Sequence, residues 1–295
     1  MNMDRVTRDF LRSNPLPRHE KEGDKNERGR VLVIAGSVEV PGAALLAGLG
    51  ALRAGAGVLQ IATCRSNACG LGMAMPEAMV VGCEETFSGD IDPKSYKRLI
   101  ELGSTADAIL VGPGMIDGPA VAELTSELRR HLLDKTFILD AAAFTTLKST
   151  KGSSRSSGCT VVTPHSGEMA NFLGLSRDQI DQDPLAAARC TAKELQAVVA
   201  MKGASTYIVS PEGEVCLSEY GSISLATSGS GDTLAGILAG LIARGARPFL
   251  ATVWAVFLHG EAGRQLASRN GTLGLLAREI PGEVPLIMQD FIDRG

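Results

Sequence analysis

The 295-residue chain is poor in aromatic side chains, with one Trp, three Tyr and eight Phe, and it has no excess of positive charge: 29 Lys and Arg stand against 33 Asp and Glu, for a net charge of -4. With little to stack on bases and no basic footprint, nucleic acid is not an expected partner. Long uninterrupted apolar runs are missing too. The most apolar stretches are broken by Arg53, Asp232 or Arg244, and no apolar segment follows a basic start. The reading is a chain with neither signal peptide nor membrane span, working in the cytoplasm. The six cysteines are scattered, and the one close pair, Cys64 and Cys69, has no His nearby, so no metal site is predicted and reduced thiols that fill the core are expected. A G-x-x-x-x-G-K-[ST] loop is absent, and no G-x-G-x-x-G follows the first strand, which removes the P-loop and dinucleotide-fold signatures.

What is abundant is glycine and short apolar runs. Residues 1–29 carry Pro15, Pro17 and many charges without an apolar period, and read as an N-terminal arm with one short helix over Asp4 to Leu11. From Arg30 onward, apolar runs of strand length alternate with helical stretches. The runs are 30–35, 58–62, 79–82, 108–111, 137–140, 159–163, 197–201, 207–209 and 215–217, and a further short strand is expected just before Ala226. Runs buried on both faces are typical of parallel strands, so the prediction is one three-layer α/β domain over 30–295 with a largely parallel central sheet. Glycine turns follow the strand ends at Gly36 and at Gly112-Pro113-Gly114. Open parallel sheets keep their sites at that edge.

Ala226-Thr227-Ser228-Gly229-Ser230-Gly231-Asp232-Thr233-Leu234-Ala235-Gly236 combines residues almost without bulk, a carboxylate and a helix start. The backbone N–H groups of Gly229, Ser230 and Gly231 can close around an anion at the positive end of the helix. Asp232 either caps that helix or takes a proton from a group attacking a bound phosphate. Asp140, at a strand end, reads equally as a site carboxylate or a cap. His165, at a strand-to-helix junction, reads as functional or structural, and Lys202-Gly203-Ala204-Ser205-Thr206 as a nucleotide-binding turn or a solvated one. His259, on an apolar helix, reads as a core residue. The Ser- and Gly-rich stretch 149–158 reads as a solvated loop.

Several of these pieces together resemble a known family. Gly229-Ser230-Gly231-Asp232 followed by Thr-Leu-Ala-Gly is similar to the anion hole and catalytic Asp of ribokinase-like enzymes. Val31 to Ser37, Pro41-Gly42-Ala43-Ala44, Gly112-Pro113-Gly114, Thr163-Pro164-His165-Ser166-Gly167-Glu168, Lys202 to Thr206 and Leu258-His259-Gly260 follow in the order seen in ADP/ATP-dependent NAD(P)H-hydrate dehydratases, over roughly residues 21–280. The resemblance implies a ribokinase-like fold and a hydro-lyase that restores NADH or NADPH from the hydrated cofactor. ADP or ATP would be the co-substrate, ADP the favoured one, and Mg²⁺ would arrive with the nucleotide. It places the nucleotide on Lys202, Gly203, Ala204, Ser205, Thr206 and Gly231, and the hydrated dinucleotide on Ala43, Gly114, His165 and Asp232, with Asp232 catalytic. It further implies a homo-oligomer, a tetramer, and a separate epimerase in the same pathway, since the chain has no room for an epimerase domain. Asp140-Ala141-Ala142-Ala143-Phe144 departs from the family's Asp-Ala-Asp-Ala-Leu or Asp-Ala-Gly-Ala-Leu, and the basic loop before the first strand, Lys21-Glu22-Gly23-Asp24 through Gly29-Arg30, is longer than usual. A vitamin-precursor kinase of the same fold and a nucleotide sensor without turnover are the alternative readings.

Overall fold

In the computed structural model, which describes residues 3–18, 24–147 and 158–291, ten strands form one sheet in the order β1-β10-β9-β8-β7-β6-β5-β2-β3-β4. The chain begins with β1 (Asp4–Arg5), α1 (Arg8–Ser13), β2 (Arg30–Ile34), α2 (Gly42–Arg53), β3 (Val58–Cys64), α3 (Arg65–Ala74) and β4 (Ala78–Cys83). It continues through α4 (Tyr96–Ser104), β5 (Ala108–Val111), α5 (Pro119–His131), β6 (Thr136–Leu139), α6 (Ala142–Thr145), β7 (Thr160–Val162) and α7 (Ser166–Leu173). Then come α8 (Arg177–Gln182), α9 (Pro184–Leu195), β8 (Val198–Met201), β9 (Thr206–Val209), β10 (Val215–Ser218), α10 (Ser230–Ala243), α11 (Pro248–Asn270) and α12 (Ile280–Gln289). All neighbouring strands pair in parallel except β9, which runs against both β8 and β10.

Why the strands read as unbroken apolar runs is visible in β2. Val31 and Val33 belong to the core on one face of the sheet, and Leu32 and Ile34 to the core on the other. Helices α2, α10, α11 and α12 cover the first face, and α4, α5, α6, α7 and α9 the second. A strand covered on both sides has no solvent face on which to alternate. No helix of the described residues is long and apolar enough to cross a membrane.

Helices α2 and α10 pack backbone against backbone. A Cβ at Gly236 would lie 2.0 Å from the Ala47 carbonyl oxygen, one at Gly240 2.4 Å from that of Ala51, and one at Gly50 2.6 Å from that of Thr233. Backbone therefore meets backbone, which explains the glycines that cost both helices intrinsic stability. The contacts advance together, with Leu46 under Gly229, Ala47 against Gly236 and Ala54 against Gly240. The two helices thus run parallel, and both N-termini emerge on one rim, at the carboxyl ends of the parallel strands.

Two local expectations are corrected, and one helix appears where none was stated. Asp4 to Leu11 is not one helix: Thr7 caps α1 by accepting from the Phe10 N–H, and Asp4–Arg5 instead pairs with Cys216 and Leu217 of β10. The segment between β3 and β4 is helical despite Gly70 and Gly72, because its Leu71 seals the core. The strand expected before Ala226 is a 3₁₀ turn, Ile223–Leu225, begun by Ser222, whose side chain accepts from the Ser224 N–H. The solvated loop read at 149–158 lies outside the described residues except for Gly158, and Lys21-Glu22-Gly23 lies outside them too.

Candidate active site

Helix α10 opens without a side-chain cap. Its N-cap is Gly229, held at φ +85°, and a Cβ there would strike the Leu46 side chain at 2.3 Å. Asp232 lies in the first turn rather than at the cap, which corrects the helix-cap reading. Within the cradle, the Ser230 N–H donates to the Thr227 carbonyl at 3.2 Å, and the first donor to close a helical turn is Thr233, onto Gly229. The N–H groups of Gly229, Gly231 and Asp232 have no partner among the described residues and are free to donate to an anion, whereas that of Ser230 is already engaged.

Next to this cradle lies a charged cluster that no single stretch of sequence announces. The Lys202 Nζ donates to Asp140 Oδ1 at 3.0 Å and stands 3.9 Å from Glu168 Oε2. It is also 3.4 Å from where a Cβ on Gly231 would sit, within van der Waals contact of the cradle. Asp140 is buried, and its Oδ1 also accepts from the Thr163 hydroxyl at 2.5 Å. Its carbonyl closes a turn by accepting from the Ala143 N–H at 3.1 Å, but its side chain caps nothing and is the counter-ion of Lys202, so the solvated-turn reading of Lys202 falls with it. Burial alone would lower the Lys202 pKa, yet Asp140, Glu168 and Asp232 outweigh burial and hold it above the usual lysine value. Burial and the charge of Asp140 push Glu168 up against the pull of Lys202. Asp232 is pushed up to about 6 by burial first and then by Asp140, with Lys202 opposing. A carboxylate poised near neutrality is suited to accept a proton.

His165 caps α7 in a reciprocal box. Its Nδ1 accepts from the N–H groups of Gly167 and Glu168 at 2.9 and 3.3 Å, while Glu168 Oε2 accepts from the His165 N–H at 2.8 Å. The structural role is thus real: Nδ1 is used as an acceptor, and Nε2 stands 3.5 Å from Glu168 Oε1 on an otherwise exposed ring. The Lys202 N–H donates to the Pro164 carbonyl at 2.8 Å, which brings the His165 junction and the Lys202 turn side by side.

A pocket of about 770 Å³ opens beside these residues, lined by His165, Lys202, Gly203, Ala204, Thr206, Ser230 and Gly231, and floored by Leu225, Val256, His259 and Gly260. Its apolar floor and polar, glycine-rich wall have the chemistry of a nucleotide site. Ser205 sits in the same turn but outside the pocket wall, as do Ala43, Gly114 and Asp232. Ala43 and Gly114 form a second surface on the rim: Gly114 takes φ +65°, and a Cβ there would be 2.5 Å from that of Ala43 and 2.8 Å from the Val40 carbonyl oxygen.

Arg177 and Tyr220 also line the pocket without having drawn attention in the sequence, and two further residues of the site were read there only in part. Glu168 was legible only as the fourth residue of a capping box. His259 is buried, as a core reading requires, yet it forms part of the pocket floor. Among the described residues no group of three or more His, Cys, Asp or Glu forms a metal cage.

The model of one protein family, described as NAD(P)H-hydrate dehydratase, matches residues 31–286. The chain is 45% identical over 294 residues to an ADP-dependent (S)-NAD(P)H-hydrate dehydratase of Xanthomonas campestris, covering 98% of this chain and 97% of the relative. A crystal structure of the ADP/ATP-dependent NAD(P)H-hydrate dehydratase of Bacillus subtilis, co-crystallised with ATP and Mg²⁺, superposes with a TM-score of 0.86 at 31% identity, covering 99% and 100% of the two chains. A ribokinase-like superfamily protein of Enterococcus faecalis gives a TM-score of 0.83 at 27% identity, covering 98% and 96%. The three-layer fold is thus ribokinase-like.

Proposed function

Since this chain belongs to the NAD(P)H-hydrate dehydratase family, we infer that it restores NADH and NADPH from their (S)-hydrates in a dehydration driven by ADP. The observation that carries the reading is Asp232, a carboxylate with its pKa raised to about 6, in the first turn of a helix whose free N–H groups face an anion. A carboxylate repels a phosphate, so its position beside an anion cradle makes sense when it accepts the proton of the attacking group.

Hydroxide is a poor leaving group from the hydrated nicotinamide ring. Asp232 takes the proton of the ring hydroxyl as its oxygen attacks the terminal phosphorus of the nucleotide, and the P–O bond to the departing AMP breaks. The Gly231 and Asp232 N–H groups and the Lys202 ammonium meet the charge of the moving phosphoryl group. The lone pair of the ring nitrogen then expels phosphate by breaking the C–O bond, and loss of a proton from the adjacent ring carbon gives the reduced nicotinamide. Lys202, Gly203, Ala204, Ser205, Thr206 and Gly231 hold the nucleotide, while Ala43, Gly114 and His165 hold the hydrated dinucleotide. Mg²⁺ binds through substrate phosphates with one or two carboxylates and its own waters. The ion would come with the nucleotide, held mainly by its phosphates, and would neutralise their charge, leaving Asp232 free to act as the base. The proposal extends to residues 30–295 as the catalytic unit, a cytoplasmic homotetramer, and an epimerase that interconverts the hydrate forms upstream.

Incubation with (S)-NADH hydrate and, separately, ADP or ATP tests the activity. Return of the reduced-nicotinamide absorbance with release of phosphate supports it. Phosphorylation of an alcohol with no such return would make the chain a kinase, and nucleotide binding without product would make it a sensor.

A further inference from the structure

His259 has no part in the reaction above, yet it is a buried titratable side chain on the floor of the nucleotide pocket, at the first residue of the anion-binding helix. Its Nε2 lies 3.0 Å from the Ser230 carbonyl oxygen and 2.9 Å from the Ser230 hydroxyl oxygen. A carbonyl oxygen has no proton to give, so the short Nε2 contact requires the ring proton to be on Nε2. That proton is shared between the carbonyl and the hydroxyl oxygen, and the hydroxyl must act as acceptor. The hydrogen of Ser230 Oγ is consequently turned away from the imidazole. Ser230 lines the pocket immediately before the unpartnered N–H groups of Gly231 and Asp232.

We propose that His259 is a positioning residue for nucleotide binding: as the Nε2–H tautomer it locks the Ser230 carbonyl and hydroxyl, so that Ser230 Oγ–H becomes a side-chain donor to the nucleotide's phosphate chain. Burial, with Lys202 close by, lowers the imidazole pKa to about 4, so the ring is neutral at working pH and adds no charge of its own to the site. The charged groups bearing on this end of α10 are Lys202, Asp140, Glu168 and Asp232. Because the anion already meets Lys202 and free N–H groups, the contribution of Ser230 and His259 is one of geometry rather than charge. The same tautomer leaves Nδ1 as a lone-pair acceptor, a group that would repel phosphate if the ring were flipped.

The inference rests on the nucleotide-binding reading, and the test separates the two. Nitrogen-detected imidazole spectra of the uniformly labelled free protein, with the His259 signals assigned from the His259→Gln variant, are expected to show the Nε2–H tautomer at pH 7. A Nδ1–H tautomer or a protonated ring overturns the proposal whatever the protein binds. Calorimetric titration with ADP then compares wild type with Ser230→Ala, His259→Leu, the double variant and His259→Gln. Each of the first two is expected to weaken ADP about 10-fold, the loss of one charge-assisted donor. The double variant is expected to lose no more than either alone, and Gln, whose side-chain N–H can replace Nε2–H, to stay within about 2-fold of wild type. Losses that multiply in the double variant, or a Ser230→Ala protein that binds as tightly as wild type, overturn the assignment. Wild-type protein that binds neither ADP nor ATP removes the nucleotide site itself, and this inference with it.

Discussion

Asp232 pays for its reactivity in stability. Its pKa in the folded protein, about 6, lies above the ordinary 3.8, so the folded state prefers the protonated acid. The associated stability is fully present below the unfolded value and is lost as pH rises through about 6, leaving ionised Asp232 a cost at neutrality. Asp232→Asn is therefore expected to fold, to melt roughly 2–4 °C higher by calorimetry, and to lose about 10²- to 10⁴-fold in turnover. In the wild-type enzyme, kcat/KM should fall as pH drops through about 6, where Asp232 takes up its proton. Asp140→Asn removes a negative neighbour and frees Lys202 to face Asp232, so the acid limb of that profile should move to lower pH; an unmoved or raised limb contradicts the electrostatic account. The Asp140 to Lys202 pair spans 62 positions of sequence, and no local pattern encodes it. That is why each residue alone read ambiguously, while the helix start at Gly231-Asp232 was legible from its own small residues.

At the scale of the elements, the glycines of α2 and α10 divide sharply from those that merely interrupt a helix. Gly236→Ala would drive a methyl group to 2.0 Å from the Ala47 carbonyl oxygen, where only backbone can yield. A loss of about 2–4 kcal/mol is expected from urea unfolding. Gly72 of α3 has nothing nearer than 3.9 Å to an added Cβ, and Gly72→Ala should be neutral or stabilise by about 0.5–1 kcal/mol. The spacing of Gly236 and Gly240 showed in the sequence that something packs closely, but not what. The partner, α2, lies far away in the chain, and its choice depends on the sheet order. Strand runs were legible because burial on both faces leaves a continuous apolar signature. Helix α3 was not, since its exposed face and its glycines hide a single anchoring Leu71.

Across the whole molecule, the N-terminal segment is tied into the sheet and its helical cover. The strand β1 extends the sheet beside β10, Leu11 is fully buried, the Trp254 Nε1–H donates to the Asn14 carbonyl at 2.8 Å, and Arg8 pairs with buried Glu261 at 3.2 Å. Leu11→Ala is expected to cost about 2–5 kcal/mol in urea unfolding while leaving the turnover of the folded fraction intact, because Leu11 belongs to neither ligand surface. The parallel contact of α2 and α10 has a consequence in time as well as in space. Both helices rise from the same rim, so the unpartnered amides of Gly231 and Asp232 lie a turn away from amides sealed against α2. In deuterated solvent the sealed amides should exchange only through global unfolding, and the rim amides almost at once. A bound phosphate chain would slow the second set and leave the first untouched. One helix therefore carries a ligand sensor and its internal clock on a single stretch of backbone.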